Sequence, residues 1–292
     1  LKGEAMGLAI MTELPVVIIN IQRGGPSTGL PTKTEQSDLN QAVFGRNGEA
    51  PLVVLAPKSP GDCFYMAFEA CRIALEYMMP VMLLSDGYLA NGSEPWKIPD
   101  FSKMPKINTR KTVHSDESFM PYARDQKLSR PWAIPGTKDL EHRIGGLETE
   151  ELTGNVNYDP INHEKMVNIR NQKVEVVADD IPELIPYGDE TGDILVLGWG
   201  STYGAIRSAV ERARIEKKSV SHIQLQYINP LPKNLGDLLL KYKKVIIPEL
   251  NLGQLNHIIR AKFLVDTIAL NKVQGKPFTI NEIYNKILEV KI

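Results

Sequence analysis

From Leu14 to Ile21 the chain is β-branched and almost continuously apolar, which predicts a parallel strand buried on both faces. Leu1 to Glu13 before it reads as helix. A loop rich in glycine, proline, serine and threonine follows. Thr32-Lys33-Thr34-Glu35 then fits a capping box, in which a hydroxyl and a carboxylate satisfy each other's backbone donors, and predicts a helix to about Phe44. Pro51 to Ala56 is the next strand. Ser59-Pro60 has the form of a cap followed by a first-turn proline, and Phe64, Ala67, Phe68, Cys71, Ala74, Leu75 and Met78 then recur at helical spacing as a core stripe. Pro80 to Ser85 is a further short buried strand. This alternation predicts a parallel α/β sheet.

Between Asn91 and Pro160 the periodicity fails. Seven of the chain's 20 prolines fall there, with Trp96 and Trp132, in a segment longer than ordinary connections and expected to cover something. Helical pattern returns from Asn162 to Val177, and Ile185 to Gly192 reads as a linker. The remainder is a second alternating unit, with strands at Asp193 to Leu197, Ser219 to Gln226 and Lys244 to Pro248. Helices are expected at Thr202 to Arg214, Leu252 to Leu264 and Ile280 to Val290. The division expected is a first domain over 1–185, containing the irregular segment 91–160, and a second over 186–292.

The length of 292 residues suits two domains. Thirty-four Lys and Arg against 35 Asp and Glu leave a net charge of −1, which gives no global case for a nucleic-acid or anionic-membrane binder. The apolar stretches are well short of the roughly 18 to 20 residues that span a bilayer. Cys63 and Cys71 are too few for a disulfide framework or a four-thiolate site, which suits a reducing compartment, and both are expected in or near the core. The five histidines show no zinc-ligand spacing, so no metal site is expected; His142 and His163, beside the irregular segment, are the two of interest. Lys106 to Lys111 reads as a solvated basic loop.

The most informative segment runs from Gln22 to Thr32, directly after a strand, where ligands of open α/β sheets bind. Glycines admit a close ligand, Ser27, Thr28 and Thr32 offer hydroxyls, and Arg23 brings a planar fork that matches a carboxylate or phosphate. The same residues also suit an ordinary surface loop, and composition does not decide between the two. Gly198 to Gly204 follows a strand and opens a helix, but its spacing is G-x-G-x-x-x-G, one residue off the dinucleotide fingerprint, and it reads as a glycine turn.

Over Gln22 to Leu39 the sequence resembles the α subunit of 2-oxoacid:ferredoxin oxidoreductases, especially the 2-oxoglutarate type. The resemblance continues through Ala50 to Cys63, Leu83 to Asn91, Glu141 to Leu147, Tyr158 to Pro160 and His163 to Met166, and into the last α/β unit. It implies a partial thiamine-diphosphate pyrimidine-binding domain, a parallel sheet with flanking helices, followed by an α/β domain similar to the C-terminal domain of transketolases. It further implies coenzyme A-dependent oxidative decarboxylation of a 2-oxoacid in the cytoplasm, with electrons passed to ferredoxin. Thiamine diphosphate would be shared with a separate β subunit that also carries magnesium and an iron–sulfur cluster.

Arg23 would hold the substrate carboxylate, with the Thr28 hydroxyl nearby, and Thr32 would make a weaker cofactor contact. The family's thiamine-activating glutamate lies upstream of Leu1. The chain is therefore expected to be an N-terminally truncated α subunit, without a catalytic residue of its own and silent alone, with apolar surface exposed where the first sheet is cut. Two other readings of the same residues are a noncatalytic assembly module and a nicotinamide-dependent dehydrogenase resting on Gly198 to Gly204.

Overall fold

The computed structural model describes residues 3–109, 111–112 and 119–292. Helix α1 (Gly3–Thr12) leads into β1 (Val16–Gln22), α2 (Leu39–Phe44), β2 (Val53–Leu55), α3 (Asp62–Tyr77), β3 (Pro80–Asp86) and the short α4 (Gly87–Asn91). Beyond residue 91 the described chain is irregular apart from one 3-10 turn and the two-residue strands β4 (Lys111–Thr112) and β5 (Trp132–Ala133). Helix α5 (Pro160–Val176) follows. Asp159 caps it by accepting from the Ile161 and Asn162 N–H groups, with Pro160 in the first turn where its missing donor costs nothing.

The second part comprises β6 (Gly192–Trp199), α6 (Tyr203–Ile215), β7 (Val220–Leu225), β8 (Tyr227–Asn229), α7 (Leu235–Leu240), β9 (Tyr242–Glu249), α8 (Gln254–Phe263), β10 (Thr267–Asn271) and α9 (Ile280–Glu289). One sheet has the order β1-β3-β2-β8 and the other β10-β9-β6-β7. All pairings within them are parallel except β8, which runs antiparallel to β2. After β7 the chain thus leaves the second sheet and adds a strand to the first. Leu39, Val54 and Leu84 share one core with Trp199, Leu225, Ile247 and Leu255, so the two sheets pack as one body.

Several expectations are corrected. β1 is not buried on both faces: it is an edge strand with only β3 beside it, and Ile19 and Ile21 remain 58% and 47% exposed. Its continuous apolar run reflects an apolar face left uncovered here. The capping box at Thr32 does not form. Thr32 has φ +64°, in the left-handed region, whereas an N-cap needs extended backbone. The helix starts only at Leu39, because Thr34, Gln36, Ser37 and Asp38 before it are drawn into other bonds.

The stripe predicted on α3 is rotated. Met66, Ala70, Ile73, Ala74 and Tyr77 are the buried face, packed on β2, β3 and α5, whereas Cys71 is exposed and Cys63 half-buried. The irregular segment covers the other face: Phe64 meets Trp96 and Phe101 at centroid distances of 5.3 and 6.3 Å. Strands β8 and β10 and helix α7 have no counterpart in the sequence-based pattern. The basic stretch from Lys106 to Lys111 is exposed at both ends, while Arg110 and His114 lie outside the described residues.

Candidate functional site

The loop between β1 and α2 leaves the carboxyl end of the first sheet and folds back on itself. Gly24 pairs across it with Leu30, and the Gly24 N–H donates to the Lys33 carbonyl at 2.9 Å. Gly29, with φ +43°, lies where a Cβ would fall 2.4 Å from the Gly24 carbonyl oxygen, so the turn admits only glycine. Arg23, half-buried, closes this turn with its guanidinium. Nη1 donates to the carbonyls of Gly24 (3.0 Å) and Thr28 (2.6 Å), and Nη2 to that of Ser27 (2.8 Å).

The head group therefore curls over its own loop at the edge of a cleft of about 490 Å³, lined also by Asn20, Pro26, Ser37, Glu35 and Asp38. Two of its three bonds are exposed to solvent. Thr28 meets Arg23 through its carbonyl rather than its hydroxyl, and both Thr28 and Thr32 are exposed. Glu35 and Asp38 were missed as cleft residues by the sequence reading, because the capping-box pattern placed them inside a helix. Asp38 accepts from Asn20 Nδ2 and from the Ser37 hydroxyl, both at 3.0 Å. Its charge is thereby partly spent on holding the loop.

Beneath the cleft the loop is fastened to both sheets. Gln22 donates to the Ser85 carbonyl and accepts from the Asp38 N–H, and Ser37 donates back to the Arg23 carbonyl. Asp86, buried at the end of β3, accepts from the Thr34 hydroxyl at 3.0 Å, from the Tyr88 and Leu89 N–H groups that open α4, and from the Ser201 N–H. Gln36 is fully buried and spans the two units. Its Nε2 donates to the Trp199 carbonyl (2.8 Å), its Oε1 accepts from Leu250 N–H (2.9 Å), and its own N–H and carbonyl bond to Leu250 and Asn251.

This arrangement explains the glycine turn at Gly198 to Gly204. Gly200 has φ +57°, and a Cβ there would sit 2.8 Å from Gln36 Nε2. The glycine admits a side chain of the same protein, and the crevice that a dinucleotide phosphate would need is taken by Gln36. The neighbouring Glu249, whose carboxyl is pushed up by burial, accepts from the N–H groups of Leu255 and Asn256 that open α8.

The two histidines of interest lie elsewhere. His142 Nδ1 is 2.8 Å from the Leu140 carbonyl, and His163 Nδ1 is 2.6 Å from Glu148, which also receives the Arg170 fork. Among the described residues no group of three or more His, Cys, Asp or Glu could hold a metal ion, and no helix is long and apolar enough to cross a membrane.

Comparison with known proteins shows the family of the chain. Residues 1–158 match the family model for the thiamine diphosphate-binding domain of pyruvate flavodoxin/ferredoxin oxidoreductases, and residues 192–283 match that of pyruvate:ferredoxin oxidoreductase core domain II. The 2-oxoglutarate synthase subunit KorA of Methanothermobacter marburgensis is 31% identical over 100% of this chain and 78% of its own. The chain belongs to the 2-oxoacid:ferredoxin oxidoreductase α-subunit family.

Within that family it is 54% identical, over 97% of its length, to the 2-oxoglutarate oxidoreductase subunit KorA of Mycobacterium tuberculosis. The solved 2-oxoglutarate:ferredoxin oxidoreductase of Magnetococcus marinus, with 2-oxoglutarate, coenzyme A and succinyl-CoA bound, superposes with a TM-score of 0.93 at 36% identity over 99% of the chain. The chain spans 43% and 50% of those two relatives. The described residues do not fit the diphosphate end of thiamine diphosphate. The described residues offer no metal-ligand group, and the glycine turn that could cradle phosphate is filled by Gln36.

Proposed function

We propose that this chain is part of the α subunit of a thiamine diphosphate-dependent 2-oxoacid:ferredoxin oxidoreductase, with 2-oxoglutarate as its 2-oxoacid. The reaction is coenzyme A-dependent oxidative decarboxylation to an acyl-CoA and carbon dioxide, with electrons passing to ferredoxin in the cytoplasm. A β subunit supplies the diphosphate site, magnesium and an iron–sulfur cluster. The two units of this chain part at about residue 185.

The observation that carries the reading is a guanidinium at the mouth of a cleft, at the carboxyl end of β1, in a chain of this family. Arg23 is satisfied there by three neutral carbonyls, which a substrate carboxylate can replace with a charge-assisted pair of roughly twice the strength. Its task is binding and orientation. Fixing the acid group lowers the entropic barrier to reaction, whereas too tight a ground-state pair would retard loss of that carboxylate. The hydroxyls of Thr28 and Thr32, exposed on the same loop, are assigned to further contacts with substrate and cofactor respectively.

The test is to purify the parent α subunit with its β subunit and assay 2-oxoacid-dependent reduction of a dye. Turnover with 2-oxoglutarate supports the reading. Absence of turnover with every 2-oxoacid tried leaves the chain an assembly module and overturns it.

A further inference from the structure

A second pocket, of about 260 Å³, lies where the two units meet, away from the Arg23 loop. Its walls are fixed by backbone and side-chain bonds. Tyr187 of the linker pairs with His222 of β7 through two backbone bonds of 2.8 and 2.9 Å, which lays the linker along the open edge of the second sheet. On the opposite wall the Lys58 N–H donates to Asp62, and Gln226 donates to the same carboxylate. Gln224 donates to the Gly200 carbonyl, so its oxygen faces His222 Nε2 at 3.2 Å.

Two half-buried cations face this space. Lys58 Nζ lies over the Tyr203 ring, 5.3 Å from its centroid, and the Arg207 guanidinium carbon lies over the Tyr187 ring. Among the described residues neither charged head forms an ion pair or a hydrogen bond to protein. Glu183, at the mouth, is exposed and pairs with neither. Burial, with smaller contributions from Arg207 and Lys58, holds His222 well below its ordinary pKa, at about 4. A guanidinium held over a ring by cation–π attraction, with its donors not bonded to protein, is placed to receive an oxyanion. The volume is below the roughly 300–1,000 Å³ of pockets for drug-sized ligands, which restricts the occupant to a compact molecule.

We propose that the pocket between Lys58 and Arg207 is a binding site for one compact, doubly charged anion, a phosphate or a dicarboxylate. Its charge matches the two cations, and it bridges the first unit, the linker and the second unit. Ligand binding there favours the docked arrangement of the two units through linkage.

Isothermal titration of the 292-residue chain with inorganic phosphate and, separately, succinate tests this. One saturable site per chain is expected for at least one probe, and the tighter probe identifies the source of the anion. Arg207→Gln and Lys58→Gln should each weaken it by about tenfold or more. Arg207→Lys, which keeps the charge but loses the planar fork, should lie between these variants and the unmodified chain. In the unmodified chain with labelled histidine, the His222 resonances should move and saturate at the same anion concentrations. A linear, non-saturating titration with both probes, unmoved His222 resonances, or unchanged affinity in both glutamine variants overturns the proposal.

Discussion

Replacing Gln36 with alanine isolates the contact that fastens the candidate substrate loop to the second unit. The substitution removes two buried side-chain bonds. The Trp199 carbonyl keeps the Thr202 hydroxyl at 2.7 Å, so its loss is that of one ordinary bond, about 1 kcal/mol. The Leu250 N–H has no such reserve and is left unsatisfied, at about 1–3 kcal/mol. The sum is about 2–4 kcal/mol, or about 4–8 °C in melting temperature at roughly 2 °C per kcal/mol for a chain of this size. Gln254→Ala serves as the control. Its side chain bonds the Ser37 carbonyl and the Asn40 N–H of the same segment from a wetter position, and it should cost less than about 1 kcal/mol. Thermal and urea denaturation of the two variants supply the comparison. If Gln36→Ala loses no more than Gln254→Ala, the assignment of Gln36 as the tie between the units is wrong.

Acid should expose a second buried dependence. Burial alone would raise the Glu13 carboxyl, but Lys173 and Arg124 beside it outweigh that and hold its pKa at about 2 against an ordinary 4.5. Its contribution, about 3 kcal/mol, is complete above pH 4.5 and is lost as pH falls toward 2. Stability from denaturation should therefore fall as pH drops through that window more steeply in the natural chain than in Glu13→Gln; equal slopes of stability against pH would contradict it. Thiol labelling should show one fast site, the exposed Cys71, and one slow one, since burial and the nearby Asp62, Asp86 and Glu94 push the Cys63 thiol up. Cys71→Ser should abolish the fast phase, and its persistence would count against the orientation given for α3.

Much of the fold is legible in the sequence because its signals are local. β3 is buried along its whole length and apolar as far as Leu84, the helical pattern from Asn162 falls within α5, and the failure of pattern after Asn91 marks a covering segment. What was misread depended on partners distant in sequence. Thr34 resembles a helix-start residue until its hydroxyl is seen to reach Asp86, 52 positions away. The buried face of α3 is set by what lies over each side, and Trp96 and Phe101 cover Phe64 in a way that spacing cannot show. β8 is three residues long and joins a sheet whose other strands end 140 residues earlier, beyond any periodicity argument.

The candidate site divides in the same way. Arg23 and the glycines of its turn stand out because strand, breaker and charged fork are adjacent in the chain. Glu35 and Asp38 were hidden behind a motif that their surroundings override, and the reach of Gln36 into the second unit has no local signature. The glycine at Gly200 is the one trace of it, since that position needs both a left-handed backbone and room for Gln36.

Arg23→Ala in the assembled oxidoreductase tests the central claim most directly. Steady-state kinetics with 2-oxoglutarate should show KM raised by about tenfold or more, a loss of about 1.4 kcal/mol, with a smaller change in kcat and an unchanged KM for coenzyme A. An unaltered KM for the 2-oxoacid, in a variant that assembles and melts like the natural enzyme, would contradict the account.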